Sequence, residues 1–177
     1  MKSFLNGNER ISKNSIADIK LPNDRELETI IPKINAYHKE GKVTKVILQK
    51  IEKDVVLKRK NKGVLDLIYI ESKTLEIEHI FPQNPQKISD TVEKENGNEN
   101  NHINQIGNLI LVESEINQEL SNNIFATKKE TLKKFKEKGK LFISNNEILN
   151  ENEWTKKQIE KRTKNIIKKI KKLYPYF

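Results

Sequence analysis

The stretch Thr74-Leu75-Glu76-Ile77-Glu78-His79-Ile80-Phe81-Pro82-Gln83 places two carboxylates and an imidazole within four consecutive positions. Read as a strand, Thr74 to Glu78 puts Glu76 and Glu78 on one face and Leu75 and Ile77 on the other. His79 falls on the buried face if the strand runs on. Pro82 cannot continue a central ladder and its ring restricts Phe81, so a break after the strand would let Glu78 and His79 face one cavity. A lone strand-end histidine is more often structural than catalytic, so a complement is needed. It lies at Gly107-Asn108-Leu109-Ile110-Leu111-Val112 and at Asn117. The chain has no cysteine, which excludes disulfides, thiolate nucleophiles and sulfur-held zinc. A metal must therefore be bound by carboxylate, amide oxygen, imidazole or water, a donor set that suits Mg²⁺ or Mn²⁺.

The elements that must position these residues read as follows. Residues 1–21 form a polar, loosely ordered lead-in. Asn23 can cap a helix carrying Leu27, Ile30, Ile31 and Ile34, with Pro32 either kinking it or ending it and starting another. After Gly41, the apolar positions Val43, Val46, Ile47, Ile51 and Val55 keep helical spacing. Lys58 to Gly63 is a basic turn, and Leu65 to Ile70 is too short to assign to strand or helix. Residues 83–105 make a long loop, marked by Asn84-Pro85 and Gly97. Gly107 and Asn108 form a turn that feeds a buried strand over Leu109 to Val112. Ser114 caps the segment that follows, which puts Asn117 in a first helical turn. Leu120, Ile124, Phe125, Leu132 and Phe135 continue a helical face, with a break at Ser121-Asn122 and a stop at Gly139. The last helix is capped by Asn152 and has an apolar stripe of Trp154, Ile159, Ile166, Ile167, Ile170 and Leu173 flanked by lysines. His38 reads as a surface or helix-end residue and His102 as a loop residue.

At 177 residues and 34% apolar, the chain buries one modest core. Its formal charge of +9 favours a polyanionic partner. The longest apolar runs, Leu67 to Ile70 and Leu109 to Val112, are four residues long, far short of a membrane span of roughly 20. No secretory signal is visible, so the expected location is cytoplasmic, with no membrane partner.

The order of strand, loop, strand and helix, with Glu-His on the first strand, Asn108 at the start of the second and Asn117 nine positions later, resembles the HNH, or ββα-metal, nuclease superfamily. The words Glu76-Ile77-Glu78-His79-Ile80-Phe81-Pro82-Gln83, Ile106-Gly107-Asn108-Leu109-Ile110-Leu111, Asn117, Leu120-Ser121-Asn122, Phe125 and Lys128 are similar to the C-terminal nuclease domain of GmrSD-type modification-dependent restriction enzymes. Trp154, Ile159 and Arg162 fit that family's closing helix.

The resemblance implies an α+β fold, mostly helical. A small ββα-metal core with a two-stranded antiparallel sheet would be surrounded by helices. Residues 22–177 would then be one nuclease domain, with a helical entry over 22–72, the core over 73–123 and a helical part over 124–177. The activity implied is metal-dependent hydrolysis of DNA, with modified DNA among the expected substrates, in a restriction or antiviral defence system. By resemblance, His79 matches the general base, Asn108 the residue that braces the loop and orients the histidine, and Glu78 and Asn117 the ligands of one Mg²⁺ or Mn²⁺. The family often has Asp where Glu78 stands, and the longer arm of Glu78 could bring in Glu76 as a second carboxylate. Lys128 is a candidate for holding a phosphate. GmrSD-like systems pair this domain with an NTP-using one. No glycine-rich phosphate loop is present here, so the chain reads as a separate nuclease subunit or part of a longer protein, with an NTP-using partner. The rival expectation is a non-catalytic nucleic-acid-binding module or a partner-dependent subunit.

Overall fold

The computed structural model describes residues 23–38, 40–59, 70, 74–84 and 102–174. The lead-in, the remainder of the basic turn, positions 65–69 and the loop interior at 85–101 lie outside the described residues.

Helix α1, Asp24–Ile30, begins at Asn23 as expected. The Asn23 side chain accepts from the Arg25 and Glu26 amides, and the Glu26 carboxylate accepts from the Asn23 amide in return. Pro32 ends this helix rather than kinking it. A 3₁₀ turn over Ile31–Lys33 takes the proline at its start, where no backbone donor is needed.

Helix α2, Gly41–Leu57, forms where the spacing places it, but it is rotated about its axis. It buries Thr44, Leu48, Ile51, Glu52 and Val56, while Val43 and Val46 face solvent. Polar side chains hold the buried face because each satisfies backbone groups elsewhere. The Thr44 hydroxyl donates to the Ala36 carbonyl at 2.7 Å. The Glu52 carboxylate accepts from the amides of Ile143 and Ser144 at 2.9 and 2.8 Å, at the start of a 3₁₀ segment over Ile143–Asn150.

Strand β1, Leu75–His79, pairs antiparallel with β2, Leu109–Glu113, in the register Leu75↔Glu113 to His79↔Leu109. This is the expected two-stranded sheet in a mostly helical α+β fold. Leu109 and Leu111 pack with Leu75, Leu48, Ile51, Ile166 and Ile170 on one side. Ile110 and Val112 pack with Ile116, Leu120, Leu132, Phe135, Trp154 and Ile159 on the other. A strand covered on both faces has no solvent-facing position, which is why β2 is an unbroken apolar run. Each fully buried leucine or isoleucine contributes about 1.5–3 kcal/mol, so β2 anchors the sheet.

Helix α3, Ser114–Leu120, follows β2 directly and ends at Ser121, whose φ is 44°. Helix α4, Phe125–Glu137, stops just before Gly139, whose φ of 70° suits a residue without Cβ. Helix α5, Lys156–Leu173, is capped by Thr155 and Gln158 rather than Asn152, so Trp154 precedes it. The helix buries Ile159, Arg162, Thr163, Ile166, Ile167 and Ile170. Among the described residues, no helix is long and apolar enough to cross a membrane.

Candidate functional site

Glu76 and Glu78 lie opposite Val112 and Ile110 in the sheet, so their side chains project toward α3 and α4. Each carboxylate meets a different helix. Glu76 accepts from the Ser114 hydroxyl and from Asn117 Nδ2, the latter at 2.5 Å. Ser114 is thus the first residue of α3 rather than its cap, and its hydroxyl serves the strand. These hydrogen bonds, Ser114's first, hold the Glu76 carboxyl below the usual range. A carboxylate needs a donor, so Asn117 turns its nitrogen to Glu76 and its oxygen away. That oxygen, Oδ1, is buried and has no hydrogen-bond partner among the described residues.

Glu78 instead meets α4. Lys128 Nζ lies 2.5 Å from Glu78 Oε1 and donates to the His79 carbonyl at the same distance. Lys128 is 1% exposed, and in this structure its ammonium is committed to these two oxygens rather than presented to solvent. Burial pushes the Glu78 carboxyl up against the pull of Lys128, and pushes the Lys128 ammonium down against the pull of Glu78. The structure therefore pairs Asn117 with Glu76 and Lys128 with Glu78.

His79 remains the last residue of β1, so the break comes one position later than a cavity shared with Glu78 through the bend would need. Its ring lies against Tyr37 with centroids 4.3 Å apart. Its Nε2 stands 3.0 Å from Asn104 Oδ1 and 3.5 Å from Gln83 Nε2. The shorter contact sets the tautomer: Nε2–H donates to Asn104, which leaves the lone pair on Nδ1. Burial pushes the imidazole down to about 4, opposed by the Asn104 hydrogen bond, so it is neutral at physiological pH. The Ala36 amide donates to the Asn104 carbonyl at 2.9 Å, tying the Tyr37 and Asn104 segments together around the ring.

Asn108 is completely buried and uses its whole amide as a brace. Its Oδ1 accepts from the Phe81 amide at 2.7 Å and from Trp154 Nε1 at 3.0 Å. Its Nδ2 donates to the Phe81 and Ile103 carbonyls at 3.0 and 2.8 Å. Its own carbonyl accepts from the Ile80 amide. Together these bonds fix the bend that follows His79. Arg162 steadies the other side of the same turn by donating to the Gly107 and Leu109 carbonyls at 2.9 and 2.6 Å, with Glu147 on its Nε. Gly107 is required by proximity: a Cβ there would collide with the Ile159 carbonyl oxygen and the Thr163 hydroxyl.

An open groove of ≈ 500 Å³ runs past Glu76 and Asn117, bounded by Tyr37, His38, Gly41, Lys42, Lys45 and Ile77. The start of α2, which has no side-chain cap, brings two lysines to it. Several basic residues of α5 are already paired, Lys161 with Glu151 and Lys171 with Asp24 and Glu28.

Sequence reasoning passed over Asn104, one asparagine in an asparagine-rich loop, and Tyr37, whose role is visible only once α1 and α2 are folded. Among the described residues, no three of His, Asp and Glu converge on a point that could hold a metal. The oxygens that do fit a hard cation are the carboxylates of Glu76 and Glu78 and the orphaned Oδ1 of Asn117.

No curated protein matches the chain. No solved structure matches it either. The family described as GmrSD restriction endonucleases, C-terminal domain, matches residues 21–169, which cover the sheet with Glu76, Glu78 and His79, Asn108, Asn117 and most of α5. The chain belongs to that family of restriction endonuclease domains.

Proposed function

We propose that residues 22–177 form an HNH-type nuclease domain that hydrolyses DNA phosphodiester bonds with one divalent cation, Mg²⁺ or Mn²⁺, and with His79 as general base. The observation that carries this reading is the orphaned, buried Oδ1 of Asn117, on the same amide whose Nδ2 donates to Glu76. A buried amide oxygen without a donor is costly unless something fills the place, and a hard cation does so. Glu78 and Asn117 would hold the ion, with Glu76 as the adjacent second carboxylate. Bound there, it would supply positive charge to the scissile phosphate and the leaving oxygen.

The chain's own groups account for the rest. Neutral His79 takes a proton from water at Nδ1, while Asn104 holds Nε2–H and Tyr37 fixes the ring plane. Water oxygen bonds to phosphorus as the bond to the leaving strand oxygen breaks. Asn108 keeps the bend after His79 in place and so keeps that nitrogen positioned. Lys42 and Lys45 line the groove through which the phosphate backbone would run. Family membership supports DNA as the substrate in a restriction system; a modified target, a cytoplasmic location and an NTP-using subunit or domain that works with this one complete the proposal.

The test is nicking of supercoiled plasmid with Mg²⁺, Mn²⁺ or chelator, run beside His79→Ala and Asn117→Ala. Metal-dependent nicking that His79→Ala abolishes while DNA binding persists is expected, with activity and metal response both reduced in Asn117→Ala. Cutting by His79→Ala at the unsubstituted rate would remove the base assignment. Tight DNA binding without cutting under any metal, and with partner present, would favour a non-catalytic module.

A further inference from the structure

Lys128 is the only charged residue among the largest fully buried side chains of the described residues. It sits on the inward face of α4 with Leu132 and Phe135, one and two turns further on. An apolar residue would pack there as well, so packing does not explain an ammonium. A buried cation is tolerated only when it is paired and hydrogen-bonded. Lys128 meets that condition with two oxygens from adjacent residues of β1, Glu78 Oε1 and the His79 carbonyl, each at 2.5 Å. Glu78 in turn is only 13% exposed on its side chain. Each charge is thus the reason the other can be buried.

We propose that Lys128 is the resident cation of Glu78: it neutralises this carboxylate in the metal-free protein and competes with the divalent ion for it, so that metal entry is an exchange of cations. This rests on the reading of Glu78 as a metal ligand. The second acceptor makes the exchange feasible. When Glu78 turns to the ion, the ammonium keeps the His79 carbonyl and gives up one partner of two. In the metal-free state the same contact holds Glu78 between β1 and α4, so no loose carboxylate must be ordered when the ion arrives. The consequence is a site that binds its ion more weakly than its oxygen donors alone would.

The experiment is calorimetric titration of Mn²⁺ into the full chain and into Glu78→Gln, Lys128→Gln and Lys128→Met, with folding checked by circular dichroism. Lys128→Gln retains an N–H donor without the charge and keeps the test alive if Lys128→Met does not fold. Glu78→Gln should weaken Mn²⁺ binding, whereas both lysine variants should tighten it by about tenfold or more, since a unit charge beside the ion is removed. If Glu78→Gln leaves the affinity unchanged, Glu78 is not a ligand and the underlying reading fails. If Glu78→Gln weakens binding but the lysine variants bind Mn²⁺ equally or less well, the exchange is overturned while the ligand assignment stands. Should neither lysine variant fold, the ¹⁵N resonance of the Lys128 ammonium in the unsubstituted chain decides. It should shift across a Mg²⁺ titration, and a resonance that stays put at saturation overturns the proposal.

Discussion

Replacing Asn108 with alanine removes four side-chain hydrogen bonds at a position with 0% exposure. It strands two donors, the Phe81 amide and Trp154 Nε1, and two acceptors, the Phe81 and Ile103 carbonyls. All three residues are buried, so water has little access to the groups left behind. Each buried group without a partner costs about 1–3 kcal/mol. With partial relaxation, the four together should cost about 3–5 kcal/mol, a large part of the ~5–15 kcal/mol that holds an ordinary domain together. Trp154→Phe is the internal reference, because it keeps most of the ring in place and removes a single donor, for about 1–2 kcal/mol. Urea unfolding followed by circular dichroism measures both variants. The fluorescence of Trp154, the only tryptophan, gives an independent reading in Asn108→Ala. Nuclease activity should fall in Asn108→Ala even at temperatures where it is folded, because the bend after His79 loses its brace. A cost below about 1 kcal/mol, or one no larger than that of Trp154→Phe, would refute the reasoning.

Gly107→Ala should destabilise by about 2 kcal/mol or more, since the new methyl meets the α5 backbone rather than a yielding side-chain tip; a neutral melting temperature would contradict this. His79 is held near 4 in the folded chain against an ordinary 6.5, so the unfolded chain binds the extra proton first as pH falls. Its neutral state therefore contributes fully above about pH 6.5, and that contribution of roughly 3 kcal/mol is lost between about 6.5 and 4. The stability difference between the unsubstituted chain and His79→Ala, measured in chelator, should shrink over that window, and a flat difference would count against it. Replacing both Lys42 and Lys45 with alanine should weaken duplex binding and lower the slope of log affinity against log salt by about 1–2, as for the loss of one or two phosphate contacts. An unchanged slope would move the DNA away from the groove.

Several features of this protein are determined locally and could be read from the sequence. The alternation of Leu75, Glu76, Ile77 and Glu78 fixes which face each side chain takes, and the structure keeps it. The run from Leu109 to Val112 announces a buried strand, and Asn23 announces the start of α1. The individual strands and helix starts were legible because alternation and caps depend on residues within a few positions of one another; the pairing of the strands into a small sheet among helices is what the family resemblance implied.

The tertiary structure decided which group stands against which. Glu76 and Glu78 are equivalent in a strand pattern, yet α3 brings Ser114 and Asn117 to the first and α4 brings Lys128 to the second. Asn104 reaches His79 across 25 positions of sequence, and no local signal distinguishes it from its asparagine neighbours. The buried side of α2 is not the one an apolar count favours, because valines outweigh a threonine and a glutamate in any such count. In the folded chain Thr44 and Glu52 are buried because the Ala36 carbonyl and the Ile143 and Ser144 amides need partners there. Periodicity counts apolar surface, whereas buried polar groups are placed by hydrogen-bond demand from elsewhere in the fold, and that demand exists only once distant segments have met.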